Sequence, residues 1–242
     1  MDKNQLILFI LIAILLSMNY LAYKTITGEA VSEFEKVRIS RVIDGDTLEV
    51  NSSEGIEKIR LLGINTPEKD MPGYGQAKSF LLPLEGREIS ITYTNEDIDK
   101  YGRMLRYAFY NNLFLNEEIL KHGFANLYIY EEDKYTKELE KAEESARKQG
   151  IGIWKKSQSS DCIQLIKLTY QEKKRCNNEE QLILNNNCGT KINLILKDDA
   201  NHISRINLQN GLFSMNFSCI WNDAGDSLYA WDNEGLVLFY RY

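Results

Sequence analysis

The chain has 242 residues, a formal net charge of −6 and a sequence pI near 5.2. Acidic side chains outnumber basic ones by 35 to 29, which excludes a protein that holds nucleic acid by a bulk basic field and counterion release alone. Its length suits one large domain or two of about a hundred residues each, and 43% hydrophobic residues exclude a chain that stays disordered.

The N-terminus opens on an apolar run, Leu6 to Leu16, continued by Met18 to Tyr23 with Asn19 as its polar interruption and Lys3 ahead of it. Roughly eighteen such residues are close to the minimum that spans a bilayer, so residues 1–23 read as a membrane anchor or a signal peptide. Tyr20 and Tyr23 suit an interfacial belt, and no small-x-small cleavage site follows, which favours the anchor. Either way the remainder is expected outside, membrane-anchored or secreted, with residues 24–36 as a polar tether.

From Val37 to Leu62 three strand candidates follow, and Asp44-Gly45-Asp46-Thr47 forms an acidic turn between the first two. Gln76 to Leu82 reads as a brief helix stopped by Pro83. Glu88 to Tyr93 and Arg103 to Tyr110 supply two more strands. Five strands with a short helix after the third suit a mainly β, OB-type barrel over residues 37–156. Asn116 reads as the N-cap of a helix from Glu117 to His122. A longer helix covers Lys134 to Gln149, with Leu139, Ala142 and Ala146 as its buried stripe.

Ser157 to Asp161 is a polar break, and a second, β-rich domain is expected over residues 162–242. Its strand candidates are Ile163 to Ile166, Gln181 to Leu184, Lys191 to Leu196 and Gly235 to Tyr242. All four cysteines, Cys162, Cys176, Cys188 and Cys219, lie in this part without a Cys-x-x-Cys pair. That spacing argues against zinc and for disulfides on an oxidising side of the membrane, with three pairings open; in a reducing cytoplasm the plain alternative is four buried thiols.

Chemistry concentrates between Arg41 and Glu68. Asp46, Asn65 and the Thr66 carbonyl, at two adjacent strand ends, could give a hard divalent cation oxygen ligands, while Arg60 and Glu68 flank the loop. The plain alternative for Asp-Gly-Asp-Thr is an ordinary acidic turn. Tyr128 and Tyr130 form an aromatic cluster whose plain alternative is barrel packing. His122 and His202 have no neighbouring ligand residue in the sequence and take no catalytic role.

The set DGDT at Asp44–Thr47, RLLGINTPE at Arg60–Glu68, YGQA at Tyr74–Ala77, DKYGR at Asp99–Arg103 and NEEILKHGFA at Asn116–Ala125, closed by GIGIW at Gly150–Trp154, resembles the staphylococcal nuclease family. The resemblance implies an OB-type barrel and a Ca²⁺-dependent endonuclease, a hydrolase of phosphodiester bonds in DNA and RNA. It gives Glu68 the water, Arg60 and Arg103 the phosphate, and Asp46, Asn65 and Thr66 the Ca²⁺, with Asp44 beside them. Lys100 and Tyr101 would contact a terminal phosphate, and one ring of Tyr128 and Tyr130 would lie against a base or sugar. Asn65 stands where the family usually has aspartate, which removes one negative charge. The Lys69–Gly73 loop is shorter than in the staphylococcal enzyme, so the site's rim is expected to be open.

Asn222 to Val237, with Gln181 to Asn186 upstream, resembles a lamin-tail domain, an immunoglobulin-like β-sandwich that binds or anchors an unknown ligand. Two rivals follow from the same features: a non-catalytic OB-type module that binds nucleic acid or protein, and a cell-surface adhesion or scaffold protein. Retention of Arg60, Glu68 and Arg103 separates the enzyme from the first, and the second would lose its function on deletion of Cys162 to Tyr242 but not on Arg60→Ala.

Overall fold

Alternating apolar residues fold the first half into strands that share one interior. In a computed structural model, which describes residues 34–93, 98–170, 180–218, 220–221 and 225–242, β1 (Glu35–Val42), β2 (Thr47–Ser52) and β3 (Gly55–Leu61) form an antiparallel meander. The segment expected to anchor the chain lies outside these residues, as do Cys176 and Cys219. Among the described residues no helix is long and apolar enough to cross a membrane.

β4 (Gly63–Asn65) leaves the meander, and β5 (Glu88–Thr92), β6 (Met104–Tyr110) and the short β7 (Leu113–Phe114) complete the sheet. Parallel pairing of β3 with β6, Arg60 opposite Leu105, closes the five-stranded OB-type barrel. Val37, Ile39, Leu48, Val50, Ile59, Leu61, Ile89 and Ile91 fill it, each burial of a large aliphatic side chain contributing about 1.5–3 kcal/mol.

Among the described residues three α-helices pack outside the barrel. α1 (Tyr74–Leu81) passes into a 3₁₀ turn, Leu82–Leu84, that carries Pro83, which has no N–H to continue the ladder. α2 (Leu115–Lys121) begins earlier than expected, and Asn116 is not its cap. Its side chain is buried, accepting from the Ala108 amide and donating to the Leu62 carbonyl, so it ties β6 to the end of β3. α3 (Thr136–Gln149) buries Leu139, Ala142 and Ala146 as the stripe predicts, and also Glu143. β8 (Asn126–Tyr128) lies between α2 and α3 and pairs with β4. Gly63 has a positive φ of 74°, and any side chain there would run into Leu139, so this glycine lets α3 close over β4.

The chain then turns through a 3₁₀ segment, Gln158–Asp161, into a two-sheet sandwich. One sheet orders β13 (Gly211–Phe217), β10 (Glu180–Asn186) and β9 (Ile163–Thr169). The other orders β12 (Ile203–Leu208), β11 (Ile192–Lys197), β14 (Ser227–Trp231) and β15 (Leu236–Arg241). Ile163, Leu182, Leu184, Leu194, Leu196, Leu208 and Leu228 fill the space between them. Of the three open pairings, Cys162–Cys188 forms, stapling the start of β9 to the loop after β10.

Lys36–Tyr242 form one compact unit. Trp154 and Ile153 from the barrel half pack with Tyr229, Trp231 and Leu236 of the sandwich in a separate apolar core. The Trp231 indole donates to the Ile153 carbonyl at 2.9 Å, and the Leu236 amide to the Lys155 carbonyl at 2.7 Å. Beside this core the Glu143 carboxylate is paired with the Arg241 guanidinium.

Candidate active site

The site starts from a turn. In the β1–β2 connection the Asp44 carboxylate accepts the Asp46 amide at 3.0 Å, the short-range bond that makes Asp a turn residue. That bond swings the Asp46 side chain inward. One Asp46 oxygen, Oδ2, accepts from both the amide and the hydroxyl of Thr66, each at 2.8 Å; Oδ1 takes the Thr47 hydroxyl at 3.1 Å and faces Arg60 Nε at 3.2 Å. Gly45 is glycine because a Cβ would collide with Ala77 and Thr66.

Register fixes the arginines. Thr47 lies opposite Arg60 across β2 and β3, which puts that guanidinium over the turn, and its Nη2 donates to Asn65 Oδ1 at 3.3 Å. Arg103 reaches the same turn from the other side, its Nη1 donating to the Thr47 hydroxyl at 3.3 Å. Asp99 holds it there, accepting the Arg103 amide at 2.9 Å and Nε at 2.8 Å, with Nη2 at 2.7 Å. Burial opposes ionisation of Asp99, but hydrogen bonds from Arg103 and the Tyr101 amide outweigh it and keep its carboxyl below the usual range.

Glu68 follows Pro67 out of the sheet and is exposed. Among the described residues the hydrogen bond on its carboxylate comes from outside the barrel. Asn201, in the loop between β11 and β12, donates to Glu68 Oε1 at 2.8 Å. The same loop meets Asn65, whose Nδ2 donates to the Asp199 carbonyl at 3.0 Å, the Ala200 carbonyl at 2.8 Å and Asn201 Oδ1 at 3.0 Å. The rim beside the shortened Lys69–Gly73 loop is therefore not open as expected, because the sandwich supplies a wall there.

A cleft of about 1550 Å³ runs between the halves, lined by Asp44, Asp46, Arg60, Glu68 and Arg103 on one side and by Asp198, Asn201 and Asp226 on the other. Lys100, Tyr101, Tyr128 and Tyr130 also line it. Tyr130 is 79% exposed and Tyr128 38%, so neither ring is barrel filling. All eleven residues singled out in the sequence lie in or beside this cleft, since Thr66 touches Asp46 directly.

A profile of staphylococcal nuclease homologues matches residues 58–156. A thermonuclease of Staphylococcus intermedius is 34% identical over 130 residues, which cover 50% of this chain and 77% of that protein. The chain belongs to the staphylococcal nuclease family. Further family relatives include a thermonuclease of Staphylococcus hyicus, 31% identical over 48% of this chain and 74% of its own length. The endonuclease YncB of Bacillus subtilis (strain 168) is 31% identical over 50% of this chain and 62% of its own. The protein is a nuclease, a hydrolase with an OB-type barrel.

Metal ligation in such a nuclease would fall to oxygen donors, and this chain offers Asp46, the Asn65 amide oxygen and the Thr66 carbonyl beside the Asp44 carboxylate. Burial first, and the Asp46 charge second, push Asp44 up to about 6, so a cation at this turn would relieve a like-charge pair. Among the described residues no three His, Cys, Asp or Glu side chains converge. These oxygens are of the kind a hard cation takes, but Arg60 already lies on Asp46 Oδ1 and Asn65 Oδ1, so a cation would have to displace the guanidinium and draw the rest of its shell from outside the protein.

Sequence reasoning missed several participants. Asp99 was visible inside the DKYGR motif but carried no role. Asn201, Lys197 and the Glu143–Arg241 pair gave no local signal, because each acts on residues at least 70 positions away.

Proposed function

We propose that this nuclease is a Ca²⁺-dependent endonuclease of DNA and RNA that works outside the cytoplasm. The observation that carries the reading is convergence: Arg60 and Arg103 both reach the Asp46–Thr47 turn from opposite sides, with Glu68 lining the same cleft. Two guanidiniums at one point suit a phosphodiester, since each can give paired hydrogen bonds to non-bridging oxygens.

Glu68 takes a proton from a water as that water's oxygen bonds to phosphorus and the bond to the leaving oxygen breaks. Arg60 and Arg103 balance the charge that gathers on the phosphoryl oxygens in the transition state. Their own carboxylate partners, Asp46 and Asp99, keep both guanidiniums in place before substrate arrives. Asp46, Asn65 and Thr66 would hold Ca²⁺, with Asp44 beside them, and the ion would add positive charge at the phosphate. Tyr128 and Tyr130 offer faces for a base or sugar, and Lys100 and Tyr101 reach toward a terminal phosphate.

The Cys162–Cys188 disulfide supports an oxidising location, consistent with residues 1–23 acting as anchor or signal. The sandwich of three and four strands supports the immunoglobulin-like, lamin-tail reading of residues 162–242, a module that binds or anchors a ligand still to be found.

The purified protein should cut fluorescent single-stranded DNA with millimolar calcium and stop on adding a chelator. Glu68→Gln and Arg103→Ala should each lose at least about 100-fold in kcat. Cutting that survives both substitutions would refute the assignment of this cleft.

A further inference from the structure

Glu68 is the base of the reading above, yet among the described residues the barrel gives its carboxylate no hydrogen bond. An exposed glutamate samples several rotamers, and ordering it costs side-chain entropy. Within the described residues the hydrogen bond on that carboxylate comes from Asn201, which belongs to the sandwich.

The Asn201 amide is itself oriented. Its Oδ1 accepts from Asn65 Nδ2 at 3.0 Å, which leaves its own Nδ2 to donate to Glu68 at 2.8 Å. Asn65 is 3% exposed and anchored by Arg60 on its oxygen, while its two Nδ2 hydrogens are shared among Asn201 Oδ1 and the Asp199 and Ala200 carbonyls. A carboxylate at position 65 would turn lone pairs toward three oxygens, so this junction requires the amide. The loop is backed in turn by the sandwich. Asp199 accepts from the Tyr229 hydroxyl at 2.6 Å and the Ser227 hydroxyl at 3.0 Å, while buried Lys197 bonds the Asp198 carbonyl and the Asn126 side chain.

We propose that Asn201 is a positioning residue for the nuclease reaction: through an Asn65–Asn201–Glu68 relay, the C-terminal sandwich holds the Glu68 carboxylate in the orientation in which it receives the proton of water. The inference rests on the reading of Glu68 as the base. It makes the second half of the chain part of the active site.

Steady-state cleavage of a single-stranded oligonucleotide by the full chain tests it, with thermal melts confirming that each variant folds. Asn201→Leu, which keeps the bulk and removes the donor, should lower kcat about 10-fold and leave KM within about twofold. Asn201→Gln, which restores an amide donor, should recover most of that loss. In a Glu68→Asp background, where the shortened carboxylate has withdrawn, Asn201→Leu should cost less than about twofold, because its effect passes through Glu68.

An unchanged kcat in Asn201→Leu, a change confined to KM, or a full additive loss in the Glu68→Asp background would overturn the proposal. A rise in kcat would overturn it too, and show a loop that covers the site. Glu68→Gln at the wild-type rate would sink the base reading itself; Asn201→Leu at the wild-type rate beside an impaired Glu68→Gln would sink the positioning alone.

Discussion

The barrel and the sandwich contribute to one cleft by different physics. In the barrel, site residues are placed by contacts close in sequence or across one strand pair: Asp44 to Asp46, Thr47 to Arg60, Asp99 to Arg103. In the sandwich, the contributing loop is placed by a partly buried network that spans the chain, from Glu143 on α3 through Arg241 and Tyr229 to Asp199. Local turn chemistry makes a site that tolerates change elsewhere in the fold. A network of partly buried charges around the buried Glu143 makes one that depends on its members, because a lost partner leaves another charge poorly solvated.

The strongest challenge to this contrast is Arg241→Met. Glu143 is 2% exposed and donates nothing, so its carboxylate depends on Arg241 and the Leu127 amide. Removing the guanidinium should destabilise the chain by about 3 kcal/mol, read as a lower urea midpoint with an unchanged slope. A loss below about 1 kcal/mol would show that the halves are held by their apolar contact at Trp154, Tyr229 and Trp231 alone.

A smaller effect follows from Lys197, whose Nζ is buried against the Asp198 and Asp199 carbonyls and Asn126. Burial lowers its pKa to about 8 although four nearby carboxylates, Asp198 foremost, pull the other way. An unfolded lysine still binds its proton above that value, so between about pH 8 and 10.4 the unfolded state holds more protons and stability rises with pH. Relative to Lys197→Met, the wild type should gain on the order of 2 kcal/mol between pH 7 and 9.5 in urea unfolding. A pH-independent difference would mean that the lysine titrates as it does in water.

The same contrast decides what could be read from sequence. The acidic turn, the strand alternation in β1 to β3 and the α3 stripe are short-range patterns, and the barrel was legible from them. Asn116 was misread as a cap because a polar residue at a helix start is one locally; burial against Ala108 and Leu62 gave it another use. Glu143 looked like one more charge on a solvated face until Arg241, 98 residues on, reached it. β12 and β13 escaped notice because Ser204 and Asn207 dilute the alternation of one and Leu212, 75% exposed, breaks that of the other. Asn65 could be read only as a weakened metal ligand, since the loop that uses its amide nitrogen lies 134 to 136 residues away.

The smallest of these effects tests the barrel's side. Asp99→Asn keeps the shape of the Asp99–Arg103 clamp and removes its charge. An Asn oxygen can still accept the Tyr101 and Arg103 amides, so the turn from Asp99 to Gly102 should survive. The paired contact to Nε and Nη2 of Arg103 loses its ionic partner, and the freed guanidinium spreads over more rotamers around the Thr47 hydroxyl. A fall of about 10-fold in kcat with the melting temperature nearly constant is expected, since the geometry is needed most as phosphoryl charge develops. If kcat stays and only stability falls, Asp99 serves the turn rather than the arginine, and the barrel's site would rest on Arg60 and its pairing with Asp46.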